Sequence, residues 1–216
     1  MPSAATQKSA EIGIVSNRVL DVLDASSAFA NRLDDVVARP GGFPTYAVAD
    51  KMMVGYWAID SSIHNSILTL FRDNFPAGAF ALFRPVCEVL VRVHLIAMGD
   101  KQAIEQMRTD KFRTKFFKDP KKVDNHFHLG GQFNSLYVGM MNFLHSTAHM
   151  GMEQLRRQFN GTEVVANYSE EQIVALANMS TLAKILITAR VVERFQTAAD
   201  QEIVLSVLKE FTERNF

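Results

Sequence analysis

The first group of residues suited to chemistry is a run of three charges at successive steps of four. Arg84, Glu88 and Arg92 have this spacing, which places them on one side of an α-helix. Arginine guanidinium groups bind carboxylates and phosphates, but an Arg–Glu–Arg run can also satisfy itself by internal pairing. The pattern therefore predicts either an ion network that fixes helix packing or a site for a small anionic ligand.

The second group contains side chains that bind divalent metals. His145, His149 and Glu153 recur at steps of four, and two imidazoles at this spacing can chelate one ion. Asp60 and His64 have the same spacing in an earlier segment. If the two faces met inside a helical bundle, they could form a metal site. Packed, hydrogen-bonded histidines are the alternative, because the sequence has neither a Glu-x-x-His nor a His-Glu-x-x-His motif.

An arginine pair, Arg156 and Arg157, follows the second group by one helical turn. We expect the helix that carries this pair to face the helix of the first group, with a cavity between them. The predicted binding residues are Arg84, Glu88, Arg92, His149, Arg156 and Arg157. We expect no cofactor, because the sequence has no phosphate-binding loop, dinucleotide fingerprint, nucleophile elbow or paired Cys-x-x-Cys.

Two neighbours of the charged run add detail. Pro85 has no amide hydrogen to donate, so inside a helix it frees a carbonyl one turn earlier, near Ala81. The helix either bends here or begins its regular part nearby. Cys87 is the only cysteine. It can form neither an intramolecular disulfide nor a site of several thiolates, and its apolar neighbours predict a small buried side chain.

The overall composition limits the classes of function. Lys plus Arg and Asp plus Glu are 23 each, so the broad basic surface typical of many nucleic-acid binders is not indicated, although a local patch is not excluded. Residues 1–13 lack a secretory signal. The most apolar window, 77–98, carries Arg84, Glu88, Arg92 and His94, which disfavour a membrane span. We expect a cytoplasmic bacterial protein that does not enter a membrane.

Hydrophobic periodicity predicts an all-α fold, an up-and-down bundle of about five to seven helices in one domain, 1–216. The predicted helices cover about 9–38, 46–72, 77–97, 100–114, 132–158, 169–197 and 200–213. Gly99 should end the third and Ser169 should cap the sixth. Residues 1–8 are expected to be a flexible terminus. Residues 115–131 contain Pro120 and a lysine pair, and are interpreted as an irregular surface loop with at most one helical turn.

A homodimer is also expected, because the first helix is long and the last offers Phe211 and Phe216 for a partner surface. The sequence indicates two partners, a second copy of the chain and a small anionic ligand. It does not decide whether the protein binds nucleic acid.

Two short motifs resemble a family of uncharacterised bacterial all-helical proteins. The first is Arg-Pro-x-x-Glu-x-x-x-Arg, formed here by Arg84, Pro85, Glu88 and Arg92. The second is His-x-Gly-x-x-Gln-Leu-Arg-Arg. It is formed here by His149, Gly151, Gln154, Leu155, Arg156 and Arg157. The resemblance spans about residues 80–190 and implies a helical bundle without an established activity.

A more distant resemblance is to HEPN-like bundles, several of which are RNases. Their signature is an arginine and a later histidine on one late helix, with four to six residues between them. Here the order is reversed, because His149 precedes Arg156. Three functions are the hypotheses. The favoured one is a ligand-binding or regulatory module. The alternatives are an RNase or another metal-independent phosphotransfer enzyme with His149 as general acid or base, and a metal-dependent enzyme.

Overall fold

Helices form almost all of the regular structure in the computed structural model, which describes residues 15–38, 47–148, 159–160, 163–164 and 168–215. The helices of these ranges are α1 (Asn17–Val37), α2 (Val48–Arg72), α3 (Pro76–Ala97), α4 (Lys101–Arg108), α5 (Lys118–Phe127), α6 (Gln132–Ala148), α7 (Glu170–Phe195) and α8 (Ala198–Asn215). The all-α prediction is confirmed, but the eight helices of the described ranges exceed the five to seven expected.

A small antiparallel strand pair follows α6. It joins β1 (Phe159–Asn160) to β2 (Glu163–Val164), with Phe159 opposite Val164 and Asn160 opposite Glu163. No strand was expected here, since two residues are too few to show alternation. The expected end of the preceding helix, at residue 158, lies outside the described residues.

Local side chains fix several helix ends. The Ser16 hydroxyl accepts from the Val19 amide at the start of α1. Ser169 caps α7 in a capping box with Gln172, so the predicted N-cap is confirmed. Gly99, with φ of 73°, follows the end of α3 in the left-handed region that glycine tolerates best.

The extra helix lies in residues 115–131, where an irregular loop was predicted, and this prediction is wrong. α5 has ten residues. Pro120 is its third residue and is tolerated because first-turn amides have no partner within the helix. Asp119 accepts from the Lys115 amide at 2.6 Å, and Pro120 and Val123 are buried. The proline and lysines that suggested a loop therefore belong to a short amphipathic helix.

Two helices form the centre of the fold. α3 packs against α2, α4, α5, α6 and α7, and α7 also packs against α1, α2 and α8. Most α3 side chains are buried, and they contribute to one continuous hydrophobic core. The central position is therefore shared by α3 and α7. Polar side chains gather in two regions beside these helices, one between α3 and α6 and one among α1, α2 and α7.

Phe211 does not offer the partner surface that was expected of it. Its ring is 1% exposed and lies edge-to-face on Phe29, with ring centroids 5.7 Å apart. This ring contact packs α8 against α1 inside the core. Phe216 lies outside the described residues, and the homodimer stays a prediction.

One described helix, α7, is long and apolar enough to cross a membrane by length and composition alone. Half of its most apolar window is buried inside the fold. A single helix of this kind is weak evidence of a membrane span, because core helices of soluble proteins pass the same test.

Candidate functional site

The charged run of α3 forms a ladder of ion pairs. Glu88 lies in the middle: its Oε1 accepts from Nε of Arg84 and its Oε2 from Nη2 of Arg92, both at 3.3 Å. The side chains are 68%, 34% and 23% exposed from Arg84 to Glu88 to Arg92. The ladder therefore runs from a half-buried end at Arg92 to an open one at Arg84.

Arg92 is the anchored end of the ladder. Its guanidinium carbon lies 5.6 Å from the ring centroids of both Tyr56 and Phe112, and its Nη1 donates to the Tyr56 hydroxyl at 3.3 Å. Aromatic faces attract a guanidinium and limit its rotation. Arg92 thus holds Glu88, and Glu88 in turn orients Arg84.

Arg84 is the free end. Its Nε is taken by Glu88, whereas its two terminal nitrogens make no hydrogen bond to any residue in the described part of the chain. A guanidinium in this state presents a pair of parallel donors, the geometry that carboxylates and phosphates accept.

The open end of the ladder borders a cleft of about 450 Å³. The cleft lies between α3, α6 and the segment between α4 and α5, and its lining combines charged, hydroxyl and apolar groups. Its described lining residues are Ala81, Arg84, Glu88, Thr114, Phe116, Tyr137, Met141, Leu144 and His145. Two of the predicted binding residues, Arg84 and Glu88, therefore lie in the wall of a cavity between these two helices.

Further polar groups complete the cleft wall. Tyr137 is 2% exposed, and its hydroxyl makes no hydrogen bond to any described residue. Burial raises the pKa of this hydroxyl, and the nearby negative charge of Glu88 adds to the rise, so it stays a protonated donor. Ala81 lies four residues before Pro85, so its carbonyl lacks the usual helical amide donor and can accept from a ligand.

None of the other predicted binding residues is seen to line the cleft. Arg92 supports the ladder and is not among the residues that line the cleft. His149, Arg156 and Arg157 lie outside the described residues. Phe116, Tyr137 and Thr114 were not predicted, because an aromatic residue on an amphipathic helix usually indicates core and a threonine in a connecting segment carries no pattern.

The second polar region lies in the core. Asp60 and His64 are both 0% exposed, and Nδ1 of His64 is 2.8 Å from the Ser180 hydroxyl of α7. Neither carboxylate oxygen of Asp60 has a hydrogen-bond partner among the described residues. Burial raises the pKa of Asp60 to about 7, opposed by the positive charge of Lys184. Burial lowers the pKa of His64 to about 3, with Lys184 adding to the effect.

Lys184 is the centre of this core region and was not predicted. Its side chain is fully buried, and its Nζ donates to Oδ1 of Asp34 at 2.8 Å and to the Ser61 hydroxyl at 2.6 Å. The Trp57 ring centroid lies 5.5 Å from the same nitrogen. The signal available in the sequence was that Lys184 is the only charged residue between positions 172 and 189.

The predicted metal residues do not assemble in the part of the chain that the structure describes. No group of three or more His, Cys, Asp or Glu side chains in that part could hold a metal ion. Asp60 and His64 lie in the core near the cation of Lys184, whereas His145 is exposed at the cleft with its ring 6.0 Å from that of Phe116. His149 and Glu153 are outside the described residues.

Comparison of the chain with known protein families, with curated proteins and with solved structures finds no significant match. The two family resemblances of the sequence therefore stay predictions, as does RNA cleavage through His149.

Proposed function

We propose that the protein is a binding module for a small ligand with an apolar body and a carboxylate or phosphate group, held in the cleft between α3 and α6. The observation that carries the proposal is the oriented guanidinium of Arg84 in the wall of a largely apolar cleft, with terminal nitrogens that have no hydrogen-bond partner among the described residues. We further propose, from features of the sequence alone, that the protein acts in the bacterial cytoplasm.

The size and lining of the cleft support this ligand class. Pockets for small molecules usually measure about 300–1,000 Å³ and are mostly apolar with a few polar groups, and this cleft holds about 450 Å³. Phe116, Met141 and Leu144 offer apolar contacts for a ring system. Tyr137 adds a neutral donor beside the Arg84 cation, which suits an anionic oxygen pair.

The charge balance of the ladder favours an anion over a cation. Two arginines flank one glutamate, and both oxygens of Glu88 are already occupied by them. A ligand ammonium would have to displace Arg84 from Glu88, whereas a carboxylate can add to the terminal nitrogens of Arg84 without breaking that pair.

A matched pair of probes tests the proposal by calorimetry. The aryl carboxylate 2-naphthoate should bind, and its neutral analogue 2-naphthamide should bind far more weakly. Arg84→Ala should lower the affinity for 2-naphthoate by about tenfold or more, because a charge-assisted hydrogen bond contributes roughly 1.5–3 kcal/mol.

The control is Arg108→Ala. Arg108 is also an exposed helical arginine paired with a glutamate on its own helix, but it does not line this cleft. Equal binding of naphthoate and naphthamide, or equal losses in the two variants, would rule out an anion site at Arg84. Nucleoside monophosphates in place of 2-naphthoate extend the test to phosphates.

A further inference from the structure

A second cleft, of about 250 Å³, lies between α3, α7 and α8. Its floor comes from α3 and its walls from the other two helices. The described lining residues are His94, Leu186, Ala189, Arg190, Val192, Glu193, Gln201, Val204 and Leu205. None of them lines the first cleft, so this space is independent of the proposed function.

His94 supplies the floor and has a defined tautomer. Its Nδ1 is 2.8 Å from the carbonyl oxygen of Leu90. A carbonyl can only accept, so Nδ1 carries the hydrogen and Nε2 presents a lone pair. Burial lowers the pKa of His94 to about 3, and the positive charge of Arg190 adds to this, so the ring is neutral at physiological pH.

The Nε2 acceptor of His94 is unsatisfied, and His94 is one of the residues that line the cleft. It makes no hydrogen bond to any residue that the structure describes, yet it is not among the fully enclosed polar atoms. His94 as a whole is 2% exposed, with Phe133 and Phe127 covering other parts of the ring at centroid distances of 4.5 and 6.2 Å. The accessible part of this buried side chain is therefore the part that lines the cleft.

The two charged residues of the cleft pair with each other, but Arg190 is the more buried of the two and its charge acts on His94 at the floor. Arg190 pairs with Glu193 at 2.6 Å, and its guanidinium carbon lies 3.8 Å from the Phe127 ring centroid. A cationic ligand is disfavoured by the Arg190 charge near the floor. An anionic group is disfavoured at the floor because the lone pair of Nε2 repels it.

We propose that this cleft is a second ligand site, which takes a small uncharged molecule with an aromatic or aliphatic body and one hydroxyl or N–H group that donates to Nε2 of His94. A volume of about 250 Å³ is several times the ~30 Å³ that a water molecule occupies in the liquid. Apolar side chains from α7 and α8 cover the body of the ligand, and Gln201 lies at the edge.

Phenol and toluene are the matched probes, since they have nearly the same shape and differ in the donor. With ¹⁵N-histidine-labelled full-length protein, phenol should shift the Nε2 resonance of His94 saturably while Nδ1 stays protonated. Toluene should bind about fivefold more weakly, because it leaves the buried acceptor unpaired. Equal affinities, or no phenol-dependent change at His94, would overturn the proposal.

Two variants confirm the location. Ala189→Phe fills the cleft, and Leu205→Trp narrows its mouth at a position that is 62% exposed and so tolerates a larger side chain. Both should abolish or weaken the phenol response at least about fivefold, whereas Ala58→Phe, at an exposed position of α2, should leave it unchanged. A phenol response that survives in both cleft variants contradicts the assignment. Binding of 2-naphthoate to the first cleft should be unaffected throughout, which separates this test from that of the proposed function.

Discussion

Two helical faces with the same sequence spacing have opposite fates in this molecule. Asp60 and His64 of α2 are enclosed among α1, α3 and α7, where the buried Lys184 compensates part of the charge. Arg84, Glu88 and Arg92 of α3 emerge from the core toward a cleft. A step of four tells which residues share a face, but the neighbouring helices decide whether that face is closed or open. The closed region should therefore govern stability and the open one ligand binding.

The largest effect should come from removing the buried cation. Lys184→Met takes away the donor to Asp34 and Ser61 and leaves Asp60 without a nearby positive charge. We expect a loss of roughly 3 kcal/mol in the free energy of unfolding, at the low end for breaking a buried ion pair because Asp34 is partly exposed. Urea denaturation measures it.

Lys209→Met is the matched control. Lys209 is 77% exposed and 3.8 Å from Glu213, so the same substitution should have almost no effect on stability. Similar losses of unfolding free energy in the two lysine variants would show that the buried ion pair contributes no more to stability than an exposed one.

The next effect is a pH dependence that comes from Asp60. Its pKa is raised to about 7 from 3.8, so between these values the folded state binds more protons than the unfolded state. The Asp60 contribution to stability therefore falls as the pH rises through this interval.

Asp60→Asn removes this contribution. The stability of the variant relative to the wild type should increase from pH 4 to pH 7 by at least about 1.4 kcal/mol, the equivalent of one pKa unit. Comparing the two proteins cancels the opposite slopes of His64 and His94, whose lowered pKa values make stability rise with pH. Asp110→Asn, at an exposed position, should show no such trend. A pH-independent difference for Asp60→Asn would mean that Asp60 is ionised in the folded protein throughout.

The positioning role of Arg92 gives a smaller effect, on ligand binding. Arg92→Lys keeps the charge but loses the planar group that packs on Tyr56 and Phe112 and donates to Glu88. We expect the dissociation constant for 2-naphthoate to rise about threefold by calorimetry, although Arg92 does not line the cleft. Arg108→Lys should leave it unchanged, and an unchanged value in Arg92→Lys would show that Arg84 is not positioned by the ladder.

The smallest effect should be that of Arg84→Ala on stability. Exposed ion pairs usually contribute less than about 1 kcal/mol, and Arg84 is the most exposed member of the ladder. We expect a change within about 0.5 kcal/mol in urea denaturation, in contrast to the loss of ligand affinity. A large loss of stability would show that Arg84, like Lys184, is needed for the stability of the fold.

The fold was largely readable from sequence because its signals are local. Gly99 and Ser169 mark helix ends through their own backbone or side-chain chemistry, and the apolar stripes give the helices. α5 was missed because Pro120 acts as a breaker inside a helix but not in its first turn. The pattern alone does not say which of these two applies.

Only part of each site could be predicted from the sequence, because many of the residues that contact each other there are distant along the chain. Lys184 pairs with Asp34 and Ser61, which no spacing rule connects to it. Tyr137 faces Arg84 and Glu88 across two helices, and a tyrosine on an apolar face suggests core. The ladder, in contrast, is contained within one helix, and its pairing followed from the sequence.

Two methionines provide the most direct test of the contrast between the open and closed regions. Met141 lines the α3–α6 cleft, whereas Met53 of α2 is 1% exposed in the core. In a titration of ¹³C-methyl-methionine-labelled protein with 2-naphthoate, the Met141 methyl resonance should shift saturably, and the Met53 resonance should stay in place. An unchanged Met141 resonance, or equal shifts at both methyls, would contradict a ligand-binding cleft beside a closed core.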